Sequence, residues 1–149
     1  MARGTINYFT EETKYKLKQK RVLKDWIRLV IASEGFELSE LNFILCSDEY
    51  LLRMNQEYLA HDTYTDVITF DNSEGLKMIT GDIFISIDRV AENAAGLGVA
   101  TASELRRVMV HGTLHLLGYK DKSKADKTLM TQKEDFYLSS MASTAEAGN

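Results

Sequence analysis

Two of the three histidines, His111 and His115, stand four residues apart in the stretch His111-Gly112-Thr113-Leu114-His115-Leu116-Leu117-Gly118-Tyr119-Lys120-Asp121. On a helix that spacing stacks both imidazoles on one face, one turn apart, where they can share a single cation. Gly118 follows three residues later, and a glycine there can take the positive φ that ends a helix and turns the chain back. Asp121, three residues further on, would then be returned toward the imidazoles as a third ligand. Imidazole and carboxylate donors suit zinc, and three protein ligands leave an open position, as in catalytic rather than structural sites. The sequence thus predicts one zinc-class ion per chain on His111, His115 and Asp121. The third histidine, His61, lies in a polar loop and stays outside the ligand set.

Elements to carry this group can be read along the chain. Ile6–Phe9 reads as a short strand, followed by a helix on which Leu23, Trp26, Ile27 and Val30 recur at helical spacing until Gly35. Leu41–Cys46 reads as a strand. Ser47 caps a helix with Asp48 and Glu49 in its first turn and Leu51, Met54 and Tyr58 as its apolar face. Val67–Phe70 and Asp82–Ile87 form a hairpin around the turn-rich Asp71–Gly75, with Asp82 as a turn or bulge residue at the start of its strand. A short helix from Arg89 ends near Gly96. Thr101 and Glu104 have capping-box spacing for the helix that carries the histidines, and Glu104 also falls two turns before His111 on the same face. A last helix from about Ser123 points Leu129, Met130, Phe136 and Tyr137 inward. The sum is an α+β fold, a mixed four-stranded sheet with about five helices mainly covering one face. Residues 1–141 are expected to be one domain and 142–149 a disordered tail.

The chain of 149 residues has no proline and a formal net charge of −4. That balance argues against indiscriminate attraction to nucleic acid, but seven basic residues against one acid, Asp25, stand between Lys14 and Arg28. Read as a basic helix, this segment offers Lys18, Arg21 and Lys24 as phosphate contacts. The single cysteine, Cys46, lies in an apolar run and excludes an intramolecular disulfide, which fits a reducing compartment. No stretch has the length and apolarity of a signal peptide or membrane span. A cytoplasmic protein is expected.

The ligand spacing resembles that of the metzincin proteases, but Gly112 stands where those enzymes carry the general-base glutamate. A closer resemblance is to the YbeY family of bacterial ribosome-associated metalloendoribonucleases, with its helix HGxLHLxGYDH. His111–Tyr119 matches at every specified position; Lys120 and Asp121 replace the family's aspartate and third metal-binding histidine. Asn55-x-x-Tyr58, Thr65–Phe70 and Gly81–Ser86 resemble the family's other segments, the last two its T-D-V-L-S-F and G-D-I-x-I-S. Leu59 departs from the arginine that usually follows the aromatic residue and is thought to serve RNA cleavage; Arg53, His61 or the basic segment are the cations left to replace it.

The resemblance implies a zinc-dependent, single-strand-specific endoribonuclease acting in small-subunit rRNA maturation and ribosome quality control. RNA and the small ribosomal subunit are the implied partners. The rival readings are a metallohydrolase of another substrate and a ribosome-associated metal-binding module with weak or no nuclease activity. No catalytic acid or base is assigned from the sequence, and nothing in it sets an oligomeric state.

Overall fold

A computed structural model of the chain describes residues 4–61, 63–75 and 77–147, the residues from 142 on as backbone alone. In chain order the elements are β1 (Thr5–Glu11), α1 (Lys20–Ser33), β2 (Glu37–Cys46), α2 (Asp48–Leu59), β3 (Val67–Asp71), β4 (Met78–Ser86), α3 (Ile87–Leu97), α4 (Thr101–Leu116) and α5 (Lys124–Ala147). The strands form one sheet in the order β1-β2-β4-β3. β1 and β4 flank β2 in parallel, and β3 closes the edge antiparallel to β4. This is the expected mixed α+β sheet with five helices.

Alternation along the strands divides the sheet into two unlike faces. Leu41, Phe43 and Leu45 of β2 and Ile79, Ile83 and Ile85 of β4 enter a large core with residues of α1, α3, α4 and α5. On the opposite face Cys46, Leu51 and Ile68 make a small cluster under α2, extended by Tyr50, Phe70 and Phe84. Beyond α2 that face is polar. Asn7 Nδ2 donates to Asn42 Oδ1 (2.9 Å), and Asn42 Nδ2 donates to Asp82 Oδ1 (2.9 Å). Asp82 is therefore a mid-strand rung, because β4 begins at Met78, and not the turn residue expected.

Two glycines set how closely α4 approaches the sheet. A Cβ on Gly112 would come within 2.9 Å of Ile83 Cγ2 and 3.3 Å of Thr69 Cγ2. One on Gly81 would come within 2.9 Å of both Leu116 Cδ1 and the Phe70 carbonyl oxygen. The 2.9 Å contacts are closer than real Cβ atoms come, so bare backbone at both positions lets α4 press against β3 and β4. Position 112 consequently faces the sheet.

Other expectations need correcting. Lys14, Lys16 and Lys18 are not helical: residues 13–19 are outside any regular element, with those lysines exposed and Tyr15 and Leu17 turned toward the core. The K-Y-K-L-K alternation has a period of two, and burying Tyr15 and Leu17 together requires extended chain. α3 ends at Gly98 (φ 71°) rather than near Gly96. The N-cap of α4 is Ala100, without a side-chain cap, so Thr101 and Glu104 form no capping box. Tyr58, Leu129 and Phe136 are exposed, whereas Met130 and Tyr137 are buried as expected. The expected tail, 142–149, lies outside the residues whose side chains are described; the backbone of α5 is helical to Ala147.

Candidate metal centre

α4 ends in the manner its sequence demands. Gly118 takes φ 105°, its N–H donates to the His115 carbonyl (3.0 Å), and the Tyr119 N–H donates to the Leu114 carbonyl (3.1 Å). These two bonds are the Schellman pattern, and they reverse the chain so that Asp121 meets the histidines. His111 Nε2 and His115 Nε2 lie 3.0 Å apart, and Asp121 Oδ2 lies 3.5 and 3.4 Å from them.

Hydrogen bonds at the far side of each ring assign its tautomer. His111 Nδ1 donates to Glu134 Oε2 (2.6 Å), and His115 Nδ1 donates to the Tyr119 carbonyl (2.9 Å). Both Nε2 lone pairs and a carboxylate oxygen therefore face one another, an arrangement that repels itself unless a cation or proton lies between. With Zn–N distances of about 2.0–2.1 Å, tetrahedral ligands stand roughly 3.4 Å apart. The two separations from Asp121 match that spacing, and the 3.0 Å between the imidazole nitrogens is shorter than it.

Around this triangle is a cleft of about 270 Å³ lined by Asp66, Val67, Glu104, Arg107, Val108, His111, Asp121 and Glu134. Glu104, Arg107, His111 and His115 succeed one another at helical spacing on α4, so the polar stripe was legible in the sequence. Glu104, expected to cap, is instead buried in this wall. Burial, with Asp66 opposite, raises its pKa above the ordinary carboxylate value, and Arg107 partly offsets the shift. Arg107 itself donates to Glu134 Oε1 (2.8 Å) and Asp135 Oδ1 (2.7 Å). Burial of the His111 ring opposes protonation, but the Glu134 hydrogen bond and charge, with Asp121 and Asp66 beyond, outweigh it and raise its pKa. A metal there must displace that proton, so loading weakens in acid.

Neither Arg107 nor Glu134 is among the site residues expected from the sequence, although Arg107 continues the helical spacing of Glu104 and His111. A signal for Glu134 exists: it falls in the buried stripe of α5 with Met130, Tyr137 and Met141, where an acid has no reason to be without a partner. Of the cations considered for the position of Leu59, Arg53 is paired with Glu12. His61 shares a separate cleft with Leu59, Asn55 and Thr65. Lys18 and Arg21 are exposed, while Lys24 lies over the Tyr8 ring, 5.6 Å from its centroid. The segment of residues 15–19 runs past Ala102, Leu105 and Arg106 in the first half of α4.

An imidazole pair on one helix with a carboxylate brought in by a glycine turn, beside a mixed sheet, has the form of a metallohydrolase centre. The model of the family described as endoribonuclease YbeY matches residues 5–142. A relative named endoribonuclease YbeY from Cytophaga hutchinsonii is 51% identical over 139 residues, 93% of this chain and 97% of its own. One of the same name from Bacteroides thetaiotaomicron is 44% identical over 130 residues, covering 87% and 94%. The solution structure of TM1509 from Thermotoga maritima shares the fold, with a TM-score of 0.66 at 24% identity over 97% of this chain and 93% of that one. The chain belongs to the endoribonuclease YbeY family.

Proposed function

We propose that this chain is a cytoplasmic zinc-dependent endoribonuclease that cuts single-stranded RNA in small-subunit rRNA maturation and ribosome quality control. Residues 1–141 act as one metal-dependent hydrolase domain. The observation that carries the reading is the convergence of His111 Nε2, His115 Nε2 and Asp121 Oδ2, with both tautomers set for a cation, where His111–Tyr119 matches the family helix and Asp121 stands at its third ligand position. Zinc held by these three residues would supply Lewis acidity at its open position, making water or a hydroxyl a better nucleophile and polarising a phosphoryl oxygen. The chain's own groups do the rest. Glu104 and Asp66 wall the cleft where a proton must be taken up or released, and Arg107 holds Glu134 in place.

The track for RNA is supported by position. Lys14, Lys16, Lys18, Lys20 and Arg21 are exposed along the segment that reaches α4 near Ala102. Ala102 precedes His111 by nine residues, roughly 13 Å along the helix axis. A groove of about 680 Å³ bridges the interval, lined among others by Gln19, Arg106 and Arg107. Reversing charge at Lys18, Arg21 and Lys24 is expected to weaken RNA binding and to flatten its salt dependence, the slope of log K against log salt losing up to about 3, one for each phosphate contact. Binding and slope equal to wild type would remove this segment from the RNA surface.

The protease-like rival fares badly on geometry, because position 112 faces Ile83 and Thr69 and no side chain there would reach the cleft. Metal-loaded protein, incubated with unstructured RNA and with casein, each with and without chelator, tests the proposal. Chelator-sensitive RNA cleavage with intact casein is expected. Cleavage of casein would favour the peptide reading, and cleavage of neither would favour a binding module.

A further inference from the structure

Two chains of hydrogen bonds, one to each histidine, begin on the same turn of α5. Glu134 accepts directly from His111 Nδ1. On the other side Lys133 Nζ (3.2 Å) and the Tyr137 hydroxyl both donate to Glu34, the residue that ends α1. The Tyr119 hydroxyl donates to the same carboxylate (2.6 Å), and it is the Tyr119 carbonyl that receives the His115 Nδ1 hydrogen. Trp26 Nε1 donates to the Tyr137 carbonyl (2.7 Å), tying α1 to this turn.

We propose that the Lys133–Tyr137 turn of α5 is the positioning element of the metal centre, with Glu134 orienting His111 directly and Lys133 and Tyr137 orienting His115 through Glu34 and Tyr119. The inference rests on the metal-binding reading of His111, His115 and Asp121. Stability alone does not account for the arrangement. The Glu134 side chain is only 8% exposed, in a stripe otherwise made of Met130, Tyr137 and Met141. Burying an ion pair there stabilises a fold no better than an apolar side chain of similar size. A carboxylate on Nδ1–H does something an apolar residue cannot: it holds the ring with Nε2 toward the cation and makes that nitrogen more basic. The Glu34 chain has the corresponding effect on His115 at one remove. Gly118 turns the backbone, and the anchored Tyr119 ring holds its carbonyl in line with His115.

The experiment measures zinc affinity of the full chain by competition with a chromophoric chelator, the visible spectrum of the cobalt-substituted protein, and the melting temperature of the metal-free protein. Glu134→Gln keeps size and an acceptor oxygen but removes the charge, and Arg107 retains Asp135. It is expected to weaken zinc binding about 10–100-fold and shift the cobalt bands; the lost charge of the buried pair with Arg107 also lowers the metal-free melting temperature, so the cobalt bands of the folded protein are the readout that a merely structural role would leave unchanged. Tyr119→Phe should weaken zinc binding by a smaller factor. Glu34→Gln combined with Tyr119→Phe should be no worse than the more damaging single change, because both cut one chain. Leu129→Ala, on the exposed side of α5, should change none of these. Wild-type zinc affinity and cobalt spectrum in Glu134→Gln would overturn the role of Glu134, and in Tyr119→Phe that of the Glu34 chain. The alanine double variant of His111 and His115 separates the two levels: if it loses zinc while those variants do not, only the positioning inference falls. If it keeps zinc, the metal reading itself falls.

Discussion

Replacing both His111 and His115 by alanine is expected to lower the metal content of the purified protein from about one zinc-class ion per chain to a trace, and RNA cleavage to background. The reason is numerical. Two of three protein donors go, and a lone half-exposed carboxylate, with Asp121 at 44% side-chain exposure, has no chelate partner left. The two histidines also differ from ordinary core residues in how they are held, since each commits Nδ1 outward and leaves Nε2 free for the ion. Metal analysis of wild type and double variant after the same dialysis measures the effect. Full occupancy in the variant would falsify the site.

The second large effect is expected at Asp121. Asp121→Ala should weaken zinc binding by more than the roughly 10–100-fold typical of losing an outer hydrogen-bond partner, because a direct ligand is removed. Asp121→His should keep the ion and change the chemistry. Two neutral imidazoles and one carboxylate cancel one unit of a dication's charge, whereas three imidazoles cancel none. A more positive centre favours the ionised form of the attacking oxygen, so its pKa falls. Activity that rises as this group deprotonates must then rise at lower pH. The rising limb of the pH–rate profile for Asp121→His is therefore expected on the acid side of wild type, with zinc content unchanged. Wild-type zinc affinity and activity in Asp121→Ala would instead make Asp121 a surface residue beyond the turn.

The tests bear on a centre whose parts were unequally visible. His111, His115, Gly118 and Asp121 lie within eleven consecutive residues, and a helix followed by a glycine turn brings them together almost wherever it is placed. Helix periodicity and αL geometry are local, so the candidate ligand set could be read without a fold. Local signals failed where two of them competed. Glu104 has the spacing of a capping box, but α3 ends at Gly98 and leaves only Val99 and Ala100 before α4, so Thr101 is already inside the helix. Lys14–Lys18 looked like the start of a basic helix by charge, although the alternating Tyr15 and Leu17 obeyed the period of extended chain. Asp82, seen after a glycine, suggested a turn; Gly81 is bare because Leu116 and the Phe70 carbonyl press on it in mid-strand.

The sequence by itself determined most of the elements, the candidate donor types and the turn that gathers them, because each depends on contacts within about one helical turn or one strand, while element boundaries and the basic segment before α1 did not follow from it. Tertiary structure alone decided what surrounds them. Glu134 reaches His111 across 23 residues, Glu34 reaches Tyr119 across 85, and Asn42 reaches Asp82 across 40. Such pairings have no spacing rule, since they follow from which helix packs on which face of the sheet. That packing is set by summed burial over many side chains rather than by any motif. The same holds for Gly112: its absent side chain reads from sequence as a missing base, and only the contact of α4 with Ile83 and Thr69 shows it to be a packing requirement.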